Sequence, residues 1–481
     1  MASQRVVIGV DSSTQSTKAL AVDADTGAVL GQGRAGHTVS TGAGRESDPE
    51  QWWQAFGEAV GRTGWADRAA AVSVAGQQHG LVTLDAAGRP IRPALLWNDV
   101  RSAPQAAELA ACYSTLEISR RTGSVPTAAF TAAKWAWLRA NEPQAAARTA
   151  AVRLPHDFLT ERLTGEATTD RGDASGTGWW GPGGYDREIL DHLDLDPALL
   201  PRVLDPGSAA GTVRPGLPVR AGALVATGTG DNMAAALGLG LAPGQPVLSL
   251  GTSGTVYAVG RTRPADPSGT VAGFADALGD WLPLACTLNC TLAVDRLAEL
   301  LGRDREAVEP GGAAVLLPYL DGERTPDLPF ASGLIHGLRH DTTAGQLLQA
   351  TYDGAAHALL TALDDVLRAG GEDPAPDRPL LLIGGGARGR AWQQTVRRLS
   401  GRPVQIPAAG DLVALGAAAQ AAALLTGEPA DSVARRWRTA EGPVLEAVAR
   451  DDDTLHRITD TLRRAGALQG APGTAARTDG R

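Results

Sequence analysis

Residues 221–240 read AGALVATGTGDNMAAALGLG, and the fold turns on how this stretch is taken. Leu224, Val225, Ala226 and Thr227 make a short apolar run of the kind that forms a buried strand. Gly228, Thr229 and Gly230 interrupt it, and Asp231 and Asn232 then open a small-residue helix over 233–239. An acid at that junction stands at the carboxyl end of a strand and the amino end of a helix, which is where open α/β sheets hold ligands. Asp231 is equally readable as a plain N-cap, because a carboxylate there accepts backbone N–H groups. The flanking glycines favour a functional group, since they leave room beside the carboxylate that a cap does not need.

The chain has 481 residues, which predicts two large domains rather than one. Its net charge of −9 argues against nucleic acid as a partner. Cys112, Cys286 and Cys290 show no metal-ligand spacing and suit a reducing cytosol. Residues 1–10, MASQRVVIGV, lack the apolar core and cleavage site of a signal peptide. The most apolar helix, over 412–425, is mostly alanine, contains Gln420 and is too short to span a bilayer. A cytoplasmic location without a membrane partner is therefore expected. Of the 44 basic residues only Lys18 and Lys134 are lysines. Both stand out, because an ammonium is a compact point charge that arginine does not replace in every geometry.

Residues 5–10, 19–22 and 28–32 read as three strands of a meander. Between the first two lies Asp11-Ser12-Ser13-Thr14-Gln15-Ser16-Thr17-Lys18, packed with hydroxyls. It is either a solvated hairpin or a phosphate-binding turn, in which N–H groups and hydroxyls face an anion and Asp11 holds a hydrated metal ion. Lys18 divides the same way, as an exposed hairpin lysine or a cation aimed at nucleotide. Asp48-Pro49-Glu50-Gln51 is a helix start, and that helix runs to about Arg62. A strand over 71–74 ends in Gly76-Gln77-Gln78-His79-Gly80, and one over 91–96 ends in Trp97-Asn98-Asp99-Val100-Arg101. Such strand ends can converge on one pocket whose polar groups suit a small hydroxylated ligand. Residues 131–140 form a helix carrying Lys134, whereas 151–185 yield no assignment.

Pro243-Gly244-Gln245 is the best internal boundary. It divides the chain into an N-terminal domain, 1–243, and a C-terminal domain, 244–466, followed by a disordered tail, 467–481. Beyond the boundary, 247–259 repeats the strand, Gly/Ser/Thr turn, strand design of 6–22, an internal duplication. The second copy has no acid in its turn, so only the first would meet a metal. A third glycine-rich turn, Gly384-Gly385-Gly386-Ala387-Arg388, follows a strand over 380–383 and would let a nucleotide approach the backbone closely. Asp411 is expected to cap a final Ala-rich helix.

Taken together these stretches resemble the FGGY family of carbohydrate kinases over residues 5 to about 425. Gly333-Leu334-Ile335-His336-Gly337-Leu338, with Gln346-Leu347 and Ala350-Thr351-Tyr352-Asp353, fits the family's second signature. The first signature, around Thr131, Lys134 and Trp137, departs at Ala129 and Ala140. VAGQQHG at 74–80, LLWNDVR at 95–101, GDN at 230–232, LSLGTSG at 248–254, LPYLDGERTP at 317–326 and IGGGAR at 383–388 are similar to the branch acting on D-xylulose. Two further departures are DSSTQST, where the family usually has a glycine beside the Thr, and Gln78, where that branch commonly carries Met.

The resemblance implies an α/β, actin-like ATPase fold of two ribonuclease-H-like domains with ATP and sugar in an interdomain cleft. It implies ATP- and Mg²⁺-dependent phosphorylation of D-xylulose to D-xylulose 5-phosphate, as in D-xylose catabolism. By carry-over Asp231 is the catalytic base and Asp11 the metal-facing acid. Gln78, His79, Trp97, Asp99, Asp231 and Asn232 contact the sugar. Thr14, Gln15, Lys18, Gly251, Thr252, Gly385, Gly386 and Ala387 face the nucleotide. D-xylulose and ATP are the expected partners, and a homodimer stays open. The rivals are a kinase of the same family for ribulose or glycerol, and an actin- or chaperone-like ATPase. The ATPase would share the phosphate turns without needing a base for a sugar hydroxyl.

Overall fold

A computed structural model describes residues 5–40, 42, 44–374 and 378–469. Packing divides the chain into two units. The first holds the residues up to Pro243 together with Val259–Pro283 and Ala409–Ala440; the second holds Gly244–Ala258, Leu284–Ala408 and the residues from Glu441 on. Two segments C-terminal to the 243/244 boundary thus pack with the first unit. Of the expected tail, 467–469 belong to the short helix Gly466–Gln469, and 470–481 lie outside the described residues.

In the first unit a mixed sheet runs in the order Ala209–Thr212, Leu224–Ala226, Ala69–Gly76, Val6–Ser12, Ser16–Asp23, Val29–Gly36. Val6–Ser12 is buried throughout, as a Val/Ile-rich run enclosed on both faces must be. It pairs antiparallel with Ser16–Asp23, setting Asp11 opposite Lys18, and parallel with Ala69–Gly76, setting Ser12 opposite Gly76. The two-residue strand Thr229–Gly230 also pairs with Ala69–Gly76, setting Gly230 opposite Gly76. The helix Pro49–Arg62 starts as its sequence dictates: Asp48 accepts from Glu50 N at 3.0 Å and Pro49 takes a first-turn position. It buries Trp52, Phe56 and Val60. The expected strand over 91–96 shrinks to Ala94–Leu95. The unassigned 151–185 contain the strand Ala151–Arg153, the helix Pro155–Thr164, the strand Thr168–Asp170 and the helix Arg171–Ala174.

The helix Leu412–Thr426 explains why Ala409–Ala440 joins the first unit. A Cβ at Gly9 would lie 2.0 Å from Ala414 O, one at Gly416 1.9 Å from Ala234 O, and one at Gly238 2.1 Å from Leu412 O. Backbone thus meets backbone where Leu412–Thr426 crosses Val6–Ser12 and the helix Asp231–Gly238. Asp411 does not cap it. Its backbone is left-handed, with φ of 51°, and its carboxylate accepts from Lys18 Nζ at 3.0 Å, so an ion pair replaces the cap bond. Gly416→Ala should destabilise the protein by at least ~1–3 kcal/mol, because the clash is with backbone that cannot rotate away. Urea unfolding of parent and variant measures this, and coincident curves would contradict the packing.

The second unit repeats the strand order. Residues 284–287, Gly254–Tyr257, Val247–Leu250, Leu380–Ile383, Val404–Gln405 and Val444–Leu445 follow one another. Val247–Leu250 is antiparallel to Gly254–Tyr257 and parallel to Leu380–Ile383, as Val6–Ser12 is to its own neighbours. The helix Ala344–Ala369 opens on a capping box of Thr343 and Gln346 and buries Tyr352, Leu359 and Val366.

Candidate active site

Asp231 is not a cap. Gly230 holds the N-cap position without a side-chain bond, and Asp231 is the first helical residue. Its Oδ1 accepts from the adjacent Asn232, N at 2.8 Å and Nδ2 at 3.1 Å. Burial, and then the Asp11 carboxylate, push Asp231 up to about 7. Asp11 pairs with Ala75, which pairs in turn with Thr229, two residues before Asp231, so two strand spacings, about 10 Å, separate Asp11 from the strand that leads to Asp231.

Gln78 and His79 end the strand Ala69–Gly76 beside this carboxylate. Gln78 Oε1 accepts from Asn232 Nδ2 at 2.8 Å, and a Cβ at Gly230 would lie 2.6 Å from Gln78 Cγ. The second glycine of the junction is therefore required by Gln78. His79 has φ of 65°, unusual for a residue with a Cβ and of a kind that collects at functional sites. Its ring stacks on Phe130 at 5.2 Å and meets Phe274 at 5.3 Å. A Cβ at Gly176 would lie 2.2 Å from its Cε1. Gln77 Nε2 and Oε1 and Gln78 Nε2 are buried without a hydrogen-bond partner. Unmet amide groups at a strand end fit a ligand that brings its own hydroxyls.

The second polar strand end divides. Trp97 is exposed and donates from Nε1 to Thr14 Oγ1 at 3.1 Å, so the structure joins it to the hydroxyl turn. Asp99 is consumed as a brace: it accepts from Arg45 N at 2.8 Å, Arg101 N at 3.0 Å and Arg101 Nη2 at 2.6 Å. Burial alone would raise it, but the Arg101 bonds hold it below the usual carboxylate range. Arg101 in turn lies over Trp137 at 4.5 Å. Lys134 is fully buried and donates to Ala128 O at 2.9 Å and to Ala129 O, tying down the loop before its own helix. Burial lowers it to about 7.

In the hydroxyl turn Asp11 is buried, accepts from Ser13 Oγ at 2.5 Å, and is pushed above its usual value by burial. Lys18 Nζ is committed to Asp411, and Gln15 is exposed, its carbonyl accepting from His37 N at 3.1 Å. Among the described residues no three His, Cys, Asp or Glu side chains are grouped to hold a metal ion. One buried carboxylate with neighbouring hydroxyls is nonetheless the donor set that fits Mg²⁺, which keeps most of its water and leans on substrate phosphates.

In the second unit two glycine turns stand side by side at the ends of parallel strands. Gly251 O accepts from Thr291 N at 3.1 Å and Thr291 Oγ1 at 2.8 Å, and Thr252 is exposed. Gly384, with φ of 84°, lies so close that a Cβ would be 2.8 Å from Leu250 O. Gly385 is exposed with nothing within 4 Å of its Cβ position, while Gly386 and Ala387 are buried behind it in the turn Gly385–Arg388. Open glycine backbone of this kind fits close approach by phosphates.

Two groups were not legible. Glu323, fully buried, accepts from Leu288 N at 2.6 Å, Asn289 Nδ2 at 3.0 Å and Arg324 N at 2.8 Å. His156 is fully buried among Asp157, Asp170 and Asp173. Nothing local in the sequence marks either, except that Glu323 falls in LPYLDGERTP.

Two sheets of repeated strand order, each with polar or glycine-rich turns at its strand ends, are the frame of a carbohydrate kinase, and the chain belongs to the FGGY family of carbohydrate kinases. The family's N-terminal domain matches residues 6–238 and its C-terminal domain 247–425. The chain is 71% identical to the xylulose kinase of Streptomyces coelicolor, over 96% of this chain and 97% of that protein. It is 69% identical to the xylulose kinase of Streptomyces rubiginosus, with the same coverage. Among solved structures, the xylulose kinase of Bifidobacterium adolescentis matches with a TM-score of 0.84 and 35% identity, covering 95% of this chain and 99% of that one.

Proposed function

We propose that this chain transfers the γ-phosphoryl group of ATP to D-xylulose, giving D-xylulose 5-phosphate, with Asp231 as the general base. The observation that carries the reading is Asp231 itself: a non-capping carboxylate raised to about 7, next to unmet amides of Gln77 and Gln78. A general base works best with a pKa near the operating pH.

The sugar lies against Gln78, His79 and Asn232, with its reacting hydroxyl donating to Asp231. Gln78 orients Asn232, and Asn232 holds Asp231 Oδ1, which leaves Oδ2 to take the proton. Asp99 acts one step back, holding the turn that carries Trp97. Backbone N–H groups around Gly251, Thr252, Gly385, Gly386 and Ala387 meet the nucleotide, and Thr14 and Ser13 supply hydroxyls toward the transferring phosphoryl. Asp11 would hold Mg²⁺, and the ion, when bound, would neutralise charge on the phosphate oxygens. Lys18 keeps the hydroxyl turn in place through Asp411.

The test is kcat/KM for D-xylulose, D-ribulose, L-ribulose and glycerol in a coupled ADP assay. A site whose buried polar groups match one ligand rejects an analogue that leaves a group unpaired by about 1–3 kcal/mol per group. D-xylulose should be the best substrate and glycerol poor by roughly 10² or more. His79→Ala should raise KM for the sugar and leave KM for ATP nearly unchanged. A better result with another of the four overturns the substrate, and sugar-independent ADP release overturns the kinase.

A further inference from the structure

Beneath the glycines of the catalytic junction lies a charged cluster that no step above uses. His156 Nε2 stands 3.2 Å from Asp157 Oδ1, 3.4 Å from Asp170 Oδ1 and 3.4 Å from Asp173 Oδ2, and all four side chains are buried. Burial alone would lower the imidazole, but the three carboxylates outweigh it and raise it to about 9. Burial pushes Asp157 and Asp173 up.

The cluster is tied to the junction at several atoms. Asp170 Oδ2 accepts from Thr229 Oγ1 at 2.7 Å and from Gly172 N at 2.8 Å, while Oδ1 accepts from Asp173 N at 3.0 Å. The imidazole lies close against the turn. A Cβ at Gly228 would be 2.8 Å from His156 Nδ1 and 2.5 Å from Val74 O, and one at Gly172 would be 2.9 Å from Thr229 Oγ1. Gly228, with φ of 75°, is thus a glycine for two reasons, its backbone and the ring pressed on it. An isolated buried carboxylate is costly and would give way to another arrangement. A cation at the centre keeps Asp170 as the acceptor that fixes Thr229, two residues before Asp231.

We propose that His156 is a positioning residue of the phosphoryl transfer: through Asp170 it fixes Thr229, and so sets where the Asp231 carboxylate stands. The proposal rests on Asp231 being the base. It differs from a general packing role in what it moves, because a base displaced by about 1 Å costs turnover with ground-state binding kept.

His156→Gln removes the cation at similar size. Thr229→Val removes only the hydroxyl that Asp170 accepts. Each should lower kcat by roughly 10- to 100-fold with KM for D-xylulose and for ATP within about twofold. The double variant should fall little below the worse single one, since both act through one contact. Asp231→Asn is measured alongside. An inactive Asp231→Asn with kcat of Thr229→Val within about twofold of the parent overturns the positioning role alone. The same holds if the two single effects multiply in the double variant. An active Asp231→Asn overturns the base, and this proposal with it. If His156→Gln does not fold, Thr229→Val decides by itself.

Discussion

Asp231→Asn should lower kcat by roughly 10²–10⁴, the usual worth of a positioned general base. The amide keeps the size of the side chain and its bond from Asn232, and Gly230 rather than Asp231 occupies the cap position, so folding should be preserved. Sugar binding, read by isothermal titration, should stay within a few-fold. The same residue should set the pH dependence. Because its carboxyl is raised to about 7, and only the ionised form accepts a proton, kcat/KM for the sugar should climb with pH and level off above that value. Below it the rate should fall tenfold per pH unit. A profile already flat from about pH 5 would mean that Asp231 does not limit the reaction.

Asp11→Asn should be nearly as damaging, by roughly 10²-fold or more in kcat, because a group that stabilises charge on the transferring phosphoryl is lost. The amide can still accept from Ser13, so the hydroxyl turn should keep its shape. The diagnostic is the Mg²⁺ titration: half-saturation should move to higher concentration, while KM for D-xylulose changes little. Overlaid titration curves for parent and variant would remove Asp11 from the metal. The variant should also lose the carboxylate that helps raise Asp231, so its residual activity should persist to lower pH than the parent's.

The sheets were largely legible. Val6–Ser12, Ser16–Asp23, Ala69–Gly76 and Leu380–Ile383 are apolar runs ended by glycine or hydroxyl clusters, and burial on both faces makes such runs unambiguous. The internal duplication was visible for the same reason. What failed depends on partners distant in sequence. Asp411 looked like a cap until Lys18 claimed its carboxylate. Asp99 was expected to contact the sugar, and nothing in the sequence signalled that Arg45, 54 residues earlier, would also bond it. Asp231 was readable as a plain cap, and only the backbone at Gly230, which takes the cap position itself, excludes that reading. His156 carries no local mark, because its meaning lies in acids 1, 14 and 17 residues onward that a helix, a strand and a turn fold back upon it.

The close crossing at Gly9, Gly238 and Gly416 also bears on the order in which the molecule can be built. A ribosome delivers Val6–Ser12 and the Asp231 junction first, and Leu412–Thr426 only after nearly all of the second unit. Until then the nascent first half has no helix to cover the backbone at Gly9 and Gly238, and Lys18 has no Asp411. Translation therefore finishes the Asp231 junction late, and a fragment cut at the obvious linker after Pro243 would carry Asp231 without the helix that seats it.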